Sequence, residues 1–311
     1  PVFQAKAQNQ WNEWLRARYK TDAALQAAWG ALKDGESLEK LSVELGPSLK
    51  NRDQFPAARG ADFVRFLIEK VADFERDFLS TCRAQAPTGV GVNVVPFSFD
   101  TQYQPSIHWP YSKKNGGVNS FGMYYWDLNS QLQKPPSMYV LDSNRIEGSA
   151  SVLYETNAGR PGHYRAEYPL RLAALASWQD FDAVFWHYWG DFNFWNDEQW
   201  LFSTLDYPRP NFFWTGVQQE DDPVFSSSMA VAGQIFLSGA IDAAPNPVTF
   251  RVGKRGIFGL ELANGVNARE ATFARGSQIR FEPEGDFSLR VEGEIPKQPP
   301  GKTLSGEQIV W

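Results

Sequence analysis

The chain has 311 residues, 36 acidic and 30 basic, for a formal net charge of −6. Its charges are interspersed without a basic stripe, which removes the electrostatic footprint of a nucleic-acid binder. No run of about 18 apolar residues is present to span a bilayer.

A length of 311 residues can bury a large core as one domain, or as one domain and part of a second. Cys82 is the only cysteine, so neither an internal disulfide nor a thiolate metal cluster is expected within one chain. Aromatic residues make up 15% and include twelve tryptophans. Some of these pack a core, and those gathered at strand ends suit a carbohydrate platform, because flat rings lie against pyranose faces. Pro1 stands where an initiator Met would, so the sequence is expected to be a fragment or a processed product with room for a leader upstream.

In chain order, Trp11, Trp14, Leu15 and Tyr19 recur at three- and four-residue steps and predict a helix near the start. Thr21-Asp22 caps a second short helix that runs to Trp29 and Gly30. Residues 33–60 hold two prolines and three glycines and read as an irregular excursion. From Asp62, the positions Phe63, Phe66, Leu67, Val71, Phe74 and Phe78 give a long amphipathic helix ending before Pro87. Residues 89–95 form a short β-branched run that reads as a buried strand near Asn93, and residues 98–119 read as an aromatic loop.

A further strand is expected at Phe121-Gly-Met-Tyr-Tyr-Trp126-Asp127, closed by its acidic residue. Two apolar runs then end abruptly in polar or aromatic residues: Ala150-Ser-Val-Leu-Tyr-Glu155-Thr-Asn-Ala-Gly159 and Asp182-Ala-Val-Phe-Trp-His-Tyr-Trp189-Gly. Helical spacing over residues 164–179 separates them, so the three segments predict a strand–helix–strand unit. Asp222-Pro223 opens a helix through Met229, Ile235 and Phe236, stopped by Gly239. From Pro247 onward, short strand-like runs at 248–252, 257–262, 271–273, 278–281 and 287–291 predict an all-β module. The division expected is therefore 1–244 for an α/β part and 245–311 for the beginning of a β-sandwich-like domain.

The succession of strand ends at Asn93, Asp127, Glu155 and Trp189 resembles the carboxy-terminal half of the (β/α)8 barrel of retaining clan-A glycoside hydrolases. The layout is nearest to the β-galactosidase-like family 42. Trp11-Asn-Glu-Trp-Leu-Arg-Ala-Arg-Tyr19 is similar to the helix those enzymes place after their fourth strand, and Ser305-Gly-Glu-Gln-Ile-Val-Trp311 to the trailing β domain. The resemblance implies a partial (β/α)8 (TIM) barrel of α/β class followed by an all-β segment, and hydrolysis of a β-linked sugar by double displacement. Glu155 matches the nucleophile at the end of the seventh strand. The acid/base Glu would belong to the fourth strand and so lie before Pro1, which would leave the fragment inactive by itself.

Such chemistry collects where parallel strands end, so Glu155 and the aromatic cluster closing the next strand would share a rim. Glu155 needs hydrogen-bond donors to stay ionised, and Tyr125 or Tyr124, with Asn157 or Arg160, can supply them. Strand alternation lets only one of the two tyrosines face inward, and it puts His187 and Trp189 on one face. The expected site is Glu155 as nucleophile with Asn93, Tyr125, Asp127, Asn157, His187 and Trp189 as sugar-binding residues.

Blander readings compete at each position. Glu155 is otherwise a surface carboxylate at a strand end, Asp127 a turn cap and Asn93 a turn former. Arg160, His163, Arg165 and His108 read as solvent-facing, and Cys82 as a packed thiol. Three scattered histidines without ligand spacing argue for no metal, and no cofactor motif is present: Gly89-Val-Gly91 lacks the third glycine of a dinucleotide fingerprint. The alternative function is a non-catalytic carbohydrate-binding protein on the same scaffold, and the third a plain interaction domain. The substrate class favours a secreted or periplasmic location.

Overall fold

A computed structural model describes residues 2–46, 57–88, 118–125, 129–132, 141–142, 144–158, 163–186, 223–259 and 268–295. Two helices open it, α1 (Val2–Tyr19) and α2 (Asp22–Trp29). The Thr21 hydroxyl accepts the Ala24 N–H and so caps α2 as its sequence predicts. A third helix, α3 (Ala57–Gln85), begins earlier than the apolar period alone implies, because the helix formers Ala57, Ala58 and Arg59 precede that period.

Helix α3 presents two apolar stripes to two different cores. Phe63 and Phe66 join Trp11, Leu15, Leu25, Trp29, Leu38 and Val43 in the amino-terminal core. Val64 and Ile68, a helical turn apart, reach instead into a core built on the second sheet.

Residues 31–46 form turns without helix or strand, as expected for the first part of the 33–60 excursion; its last residues, 57–60, are helical instead, and 47–56 lie outside the described residues. Their backbone is held by side chains of α1 and α3. The fully buried Asn12 amide donates to the Val43 carbonyl and accepts its N–H, each at 2.9 Å, as a neighbouring strand would. Arg59 clasps Glu36 through two hydrogen bonds of 3.0 and 2.8 Å, with both side chains at most 5% exposed. Burial alone would raise the Glu36 pKa, but the Arg59 guanidinium and the Lys33 and Glu44 N–H groups outweigh it and hold the carboxyl below its ordinary value.

The first sheet has the order β1-β2-β3, all parallel: β1 (Asn119–Tyr125), β2 (Ser151–Ala158) and β3 (Ala183–Trp186). Helix α4 (Glu167–Trp178) crosses from β2 to β3, so the expected strand–helix–strand unit is present. Tyr168, Leu172, Leu175 and Ala176 repeat at helical spacing on its buried face and meet Phe121, Met123 and Leu153 of the sheet. Helix α5 (Pro223–Leu237) starts at the proline that predicted it and adds Phe225, Met229 and Phe236 to the same core.

Beyond residue 245 the structure departs from an all-β module. Strand β4 (Val248–Gly253) leads through the helices α6 (Lys254–Ile257) and α7 (Arg269–Arg275) to β5 (Ser277–Glu282), parallel to β4, while β6 (Leu289–Glu292) is antiparallel to it. The runs at Ile257 and at 271–273, expected as strands, are therefore helical at least in part. Short apolar runs carry no decisive period, and the small buried residues Ala271, Thr272 and Ala274 let α7 lie close to its neighbours.

Hydrogen bonds and a β-bridge tie the two sheets together. The Gln179 amide donates to the Leu141 carbonyl at 2.8 Å and accepts the Ser277 N–H at 2.9 Å. The Trp178 indole donates to the Thr272 carbonyl at 2.7 Å. A parallel bridge joins Ile146 to Ile279. Gly276, at φ +76, makes this junction possible, since a Cβ there would stand 2.4 Å from the Ala244 methyl. Among the described residues no helix is long and apolar enough to cross a membrane.

Asp62, 7% exposed, fastens α1 and α2 to α3. It accepts from the Tyr19 hydroxyl at 2.5 Å and the Trp29 indole at 2.8 Å, with Arg18 at 3.5 Å. Burial, then the hydrogen bond to Asp62 and its charge, push the Tyr19 phenol up to about 12. A raised folded-state pKa stabilises below the unfolded value and loses that contribution as pH rises through the folded one. The stability lead of the native chain over Tyr19→Phe is thus full below the ordinary value of 10.0 and shrinks towards about 12. Denaturant titrations at neutral and alkaline pH measure it, and a lead that grew with pH would contradict the assignment.

Candidate functional site

Strand β2 carries one residue more than either neighbour over the same stretch. Against β1, Leu153 pairs with Phe121 but Glu155, not Tyr154, pairs with Gly122. Against β3, Leu153 pairs with Val184 and Thr156 with Trp186, so three steps along β2 match two along β3. This is a β-bulge in the central strand at Tyr154–Glu155, and a bulge re-aims the side chains that follow it.

Its effect is visible in which residues meet α4. In an unbroken strand Leu153 and Glu155 would share a face. Here Leu153 and Thr156 share it instead: both are fully buried, Leu153 in the α4 core and Thr156 with its hydroxyl 2.5 Å from the Tyr168 hydroxyl of α4. Glu155 is displaced to the face away from α4. Asn157, 1% exposed, follows it there by alternation, and its Oδ1 accepts the Ala158 N–H at 2.8 Å.

On β1 alternation is intact. Phe121, Met123 and Tyr125 belong to the α4 core, where Tyr125 stacks on Tyr168 at 5.7 Å. Gly122 and Tyr124 therefore face the other way. The Tyr124 hydroxyl donates to Glu155 Oε1 across the parallel pair, and Tyr124 lies opposite Asn157 in register. Of the two tyrosines weighed as donors, the one that meets Glu155 is Tyr124. Tyr125 donates to the Asn129 carbonyl at 3.2 Å and sits on the opposite side of the sheet.

The turn after β1 is fixed from below by Glu167, in the first turn of α4. Its carboxylate accepts the Gln131 N–H at 2.7 Å, the Leu132 N–H at 3.2 Å and the Ser130 hydroxyl at 3.0 and 3.1 Å. Residues 130–132 are thereby anchored to the start of α4.

The structure brings Glu155 and Asn157 to one face and Tyr125 to the other. Asn93, Asp127, His187 and Trp189 lie outside the described residues, as do Arg160 and His108. His163 is exposed. Among the described residues no group of three or more His, Cys, Asp or Glu side chains is placed to hold a metal ion. A cleft of about 320 Å³ between β3, α4 and α5 is lined by Leu172, Val184, Trp186, Ala232 and Phe236. It opens on the α4 side of the sheet and has no part in the Glu155 cluster.

Sequence reasoning passed over Tyr154, which the bulge sets beside Glu155. Burial and then the Glu155 charge raise the Tyr154 pKa, as expected for a phenol next to a carboxylate. Only the cross-strand register distinguishes this arrangement from plain alternation, and register is not a local property of the β2 sequence.

The orientation of Thr156 reports the bulge directly. Tyr168→Phe leaves a fully buried hydroxyl without that partner and should lower stability by about 1–3 kcal/mol. Urea unfolding measures this, and an unchanged midpoint would mean that Thr156 does not face α4. No protein-family model matches the chain, and neither a curated protein nor a solved structure matches it.

Proposed function

We propose that the protein is a retaining glycoside hydrolase acting on a β-linked sugar or polysaccharide, built on the carboxy-terminal half of a (β/α)8 barrel, with Glu155 as its nucleophile. One observation carries the reading. A carboxylate within the middle parallel strand, three residues before that strand ends at Ala158, is turned off the helix-packed face by a bulge, and receives a phenolic hydrogen bond from the adjacent parallel strand. A group committed only to packing would not need to be turned in this way.

In the first step the Glu155 carboxylate attacks the anomeric carbon and forms a C–O bond, while the glycosidic C–O bond breaks and the leaving oxygen takes a proton. Water then attacks the same carbon, giving its proton to the group that protonated the leaving oxygen, and the Glu155–carbon bond breaks to release the carboxylate. The leaving oxygen's proton comes from a second carboxyl group about 5–5.5 Å from the first, supplied by another barrel strand. Tyr124 fixes the carboxylate orientation through Oε1, so that the ground state already holds the geometry of attack. Asn157, on the same face, is assigned to the sugar-binding set. Asn93, Asp127, His187 and Trp189 complete the proposed sugar-binding set. Tyr125 supports the strand from the α4 side.

The test uses the complete protein and fluorinated β-galactosides and β-glucosides with a dinitrophenyl leaving group, which accumulate the glycosyl-enzyme. Native protein should gain the mass of one glycosyl unit on the peptide containing Glu155. Glu155→Gln should gain none and should lose at least about a thousandfold in kcat/KM on the unfluorinated substrates. Labelling that persisted in Glu155→Gln would remove the role. Saccharide binding by native protein without labelling or turnover would assign a carbohydrate-binding protein instead.

A further inference from the structure

The bulge leaves two neighbouring side chains, not one, on the face away from α4. Leu153 and Thr156 are both fully buried on the α4 side, so the residues between them, Tyr154 and Glu155, are both off that face. Tyr154 is 36% exposed, and among the described residues its hydroxyl has no hydrogen-bond partner.

Gly122 fixes where that phenol goes. It faces away from α4, between the core residues Phe121 and Met123. A Cβ on Gly122 would stand 3.1 Å from the Tyr154 hydroxyl oxygen and 3.2 Å from Cζ. The ring of Tyr154 therefore reaches across β1 over a position that has no side chain, and its tip ends on the face that carries Tyr124 and Glu155. Tyr124 commits its hydroxyl to the Glu155 carboxylate. Tyr154, one residue from that carboxylate, presents an aromatic edge and a hydroxyl able both to donate and to accept.

We propose that Tyr154 is a substrate-contacting residue: its hydroxyl hydrogen-bonds a ring hydroxyl of the glycosyl unit held at Glu155, and Gly122 is the slot that lets the phenol lie there. The proposal rests on the glycosidase reading of Glu155 and adds a determinant of affinity to it. A neutral sugar hydroxyl suits this position better than an anion does, since a carboxylate already stands beside the phenol. A side chain at 122 would press on the ring and push its tip away from Glu155.

The experiment measures inactivation of the complete protein by the same fluorinated β-glycosides, separating the half-saturating concentration from the maximal rate. Tyr154→Phe keeps the ring and removes one hydroxyl. It should raise the half-saturating concentration about two- to tenfold, the worth of one neutral hydrogen bond, with the melting midpoint unchanged. Gly122→Ala should act in the same direction, and its effect should vanish in a Tyr154→Ala background, because the two positions act through one contact. If Gly122→Ala alone lowers the midpoint, the Tyr154→Phe result decides. Native protein that labels, with Tyr154→Phe labelling identically, overturns the Tyr154 assignment and leaves Glu155 in place. Native protein that labels with no probe overturns the glycosidase reading and this inference together.

Discussion

A single extra residue in the middle strand of the parallel sheet β1-β2-β3 decides where Glu155 points. Without it, Glu155 would follow Leu153 into the core against α4, where an ionised carboxylate is costly and has no partner. With it, Thr156 takes that place and satisfies its hydroxyl on Tyr168, while Glu155 meets the Tyr124 phenol on the other side. The bulge costs one regular ladder position, which a sheet tolerates when helices on one side hold the strands in place. Here α4 and α5 do so through a continuous apolar core reaching from Phe121 to Phe225.

Several contacts among the described residues brace that arrangement. Glu167 pins the turn after β1 to the start of α4. Gln179, just past the end of α4, is bonded to Ser277 in both directions and thereby locks the first sheet to the second. Helix α3 joins the second sheet to the amino-terminal helices by giving each a separate stripe. On the exposed side of the second sheet, Arg251 bridges Glu282 and Glu292, and Arg280 bridges Glu147 and Glu292. These exposed pairs contribute little individually but order the strand edges as a network.

Much of the fold was legible in the sequence where one local rule dominates. Thr21 as a cap, Pro223 as a first helical residue and the 3.6-residue period of α4 each fix an element without reference to anything distant. The boundary of α3 was less legible, because Ala57 and Ala58 carry no apolar period although they favour helix. The carboxy-terminal segment misled for a related reason: residues 271–273 are short and apolar, and only their packing makes them helical. Glu155 stood out as the end of an apolar run, although its strand continues to Ala158. Which tyrosine it meets, and the presence of Tyr154 beside it, depend on the register between β1 and β2. Alternation counted along one strand cannot reveal a residue added relative to its neighbours.

A nucleophilic Glu155 must point at the sugar when one is bound. The most direct measurement is a crystal structure of the Glu155→Gln protein, complete and slowed enough to hold an unhydrolysed oligosaccharide. The account requires the anomeric carbon about 3–3.5 Å from the residue 155 side chain, on the sheet face away from α4, with Tyr124 still hydrogen-bonded to it. A saccharide bound elsewhere, or residue 155 packed against α4 in an unbulged strand, would contradict it.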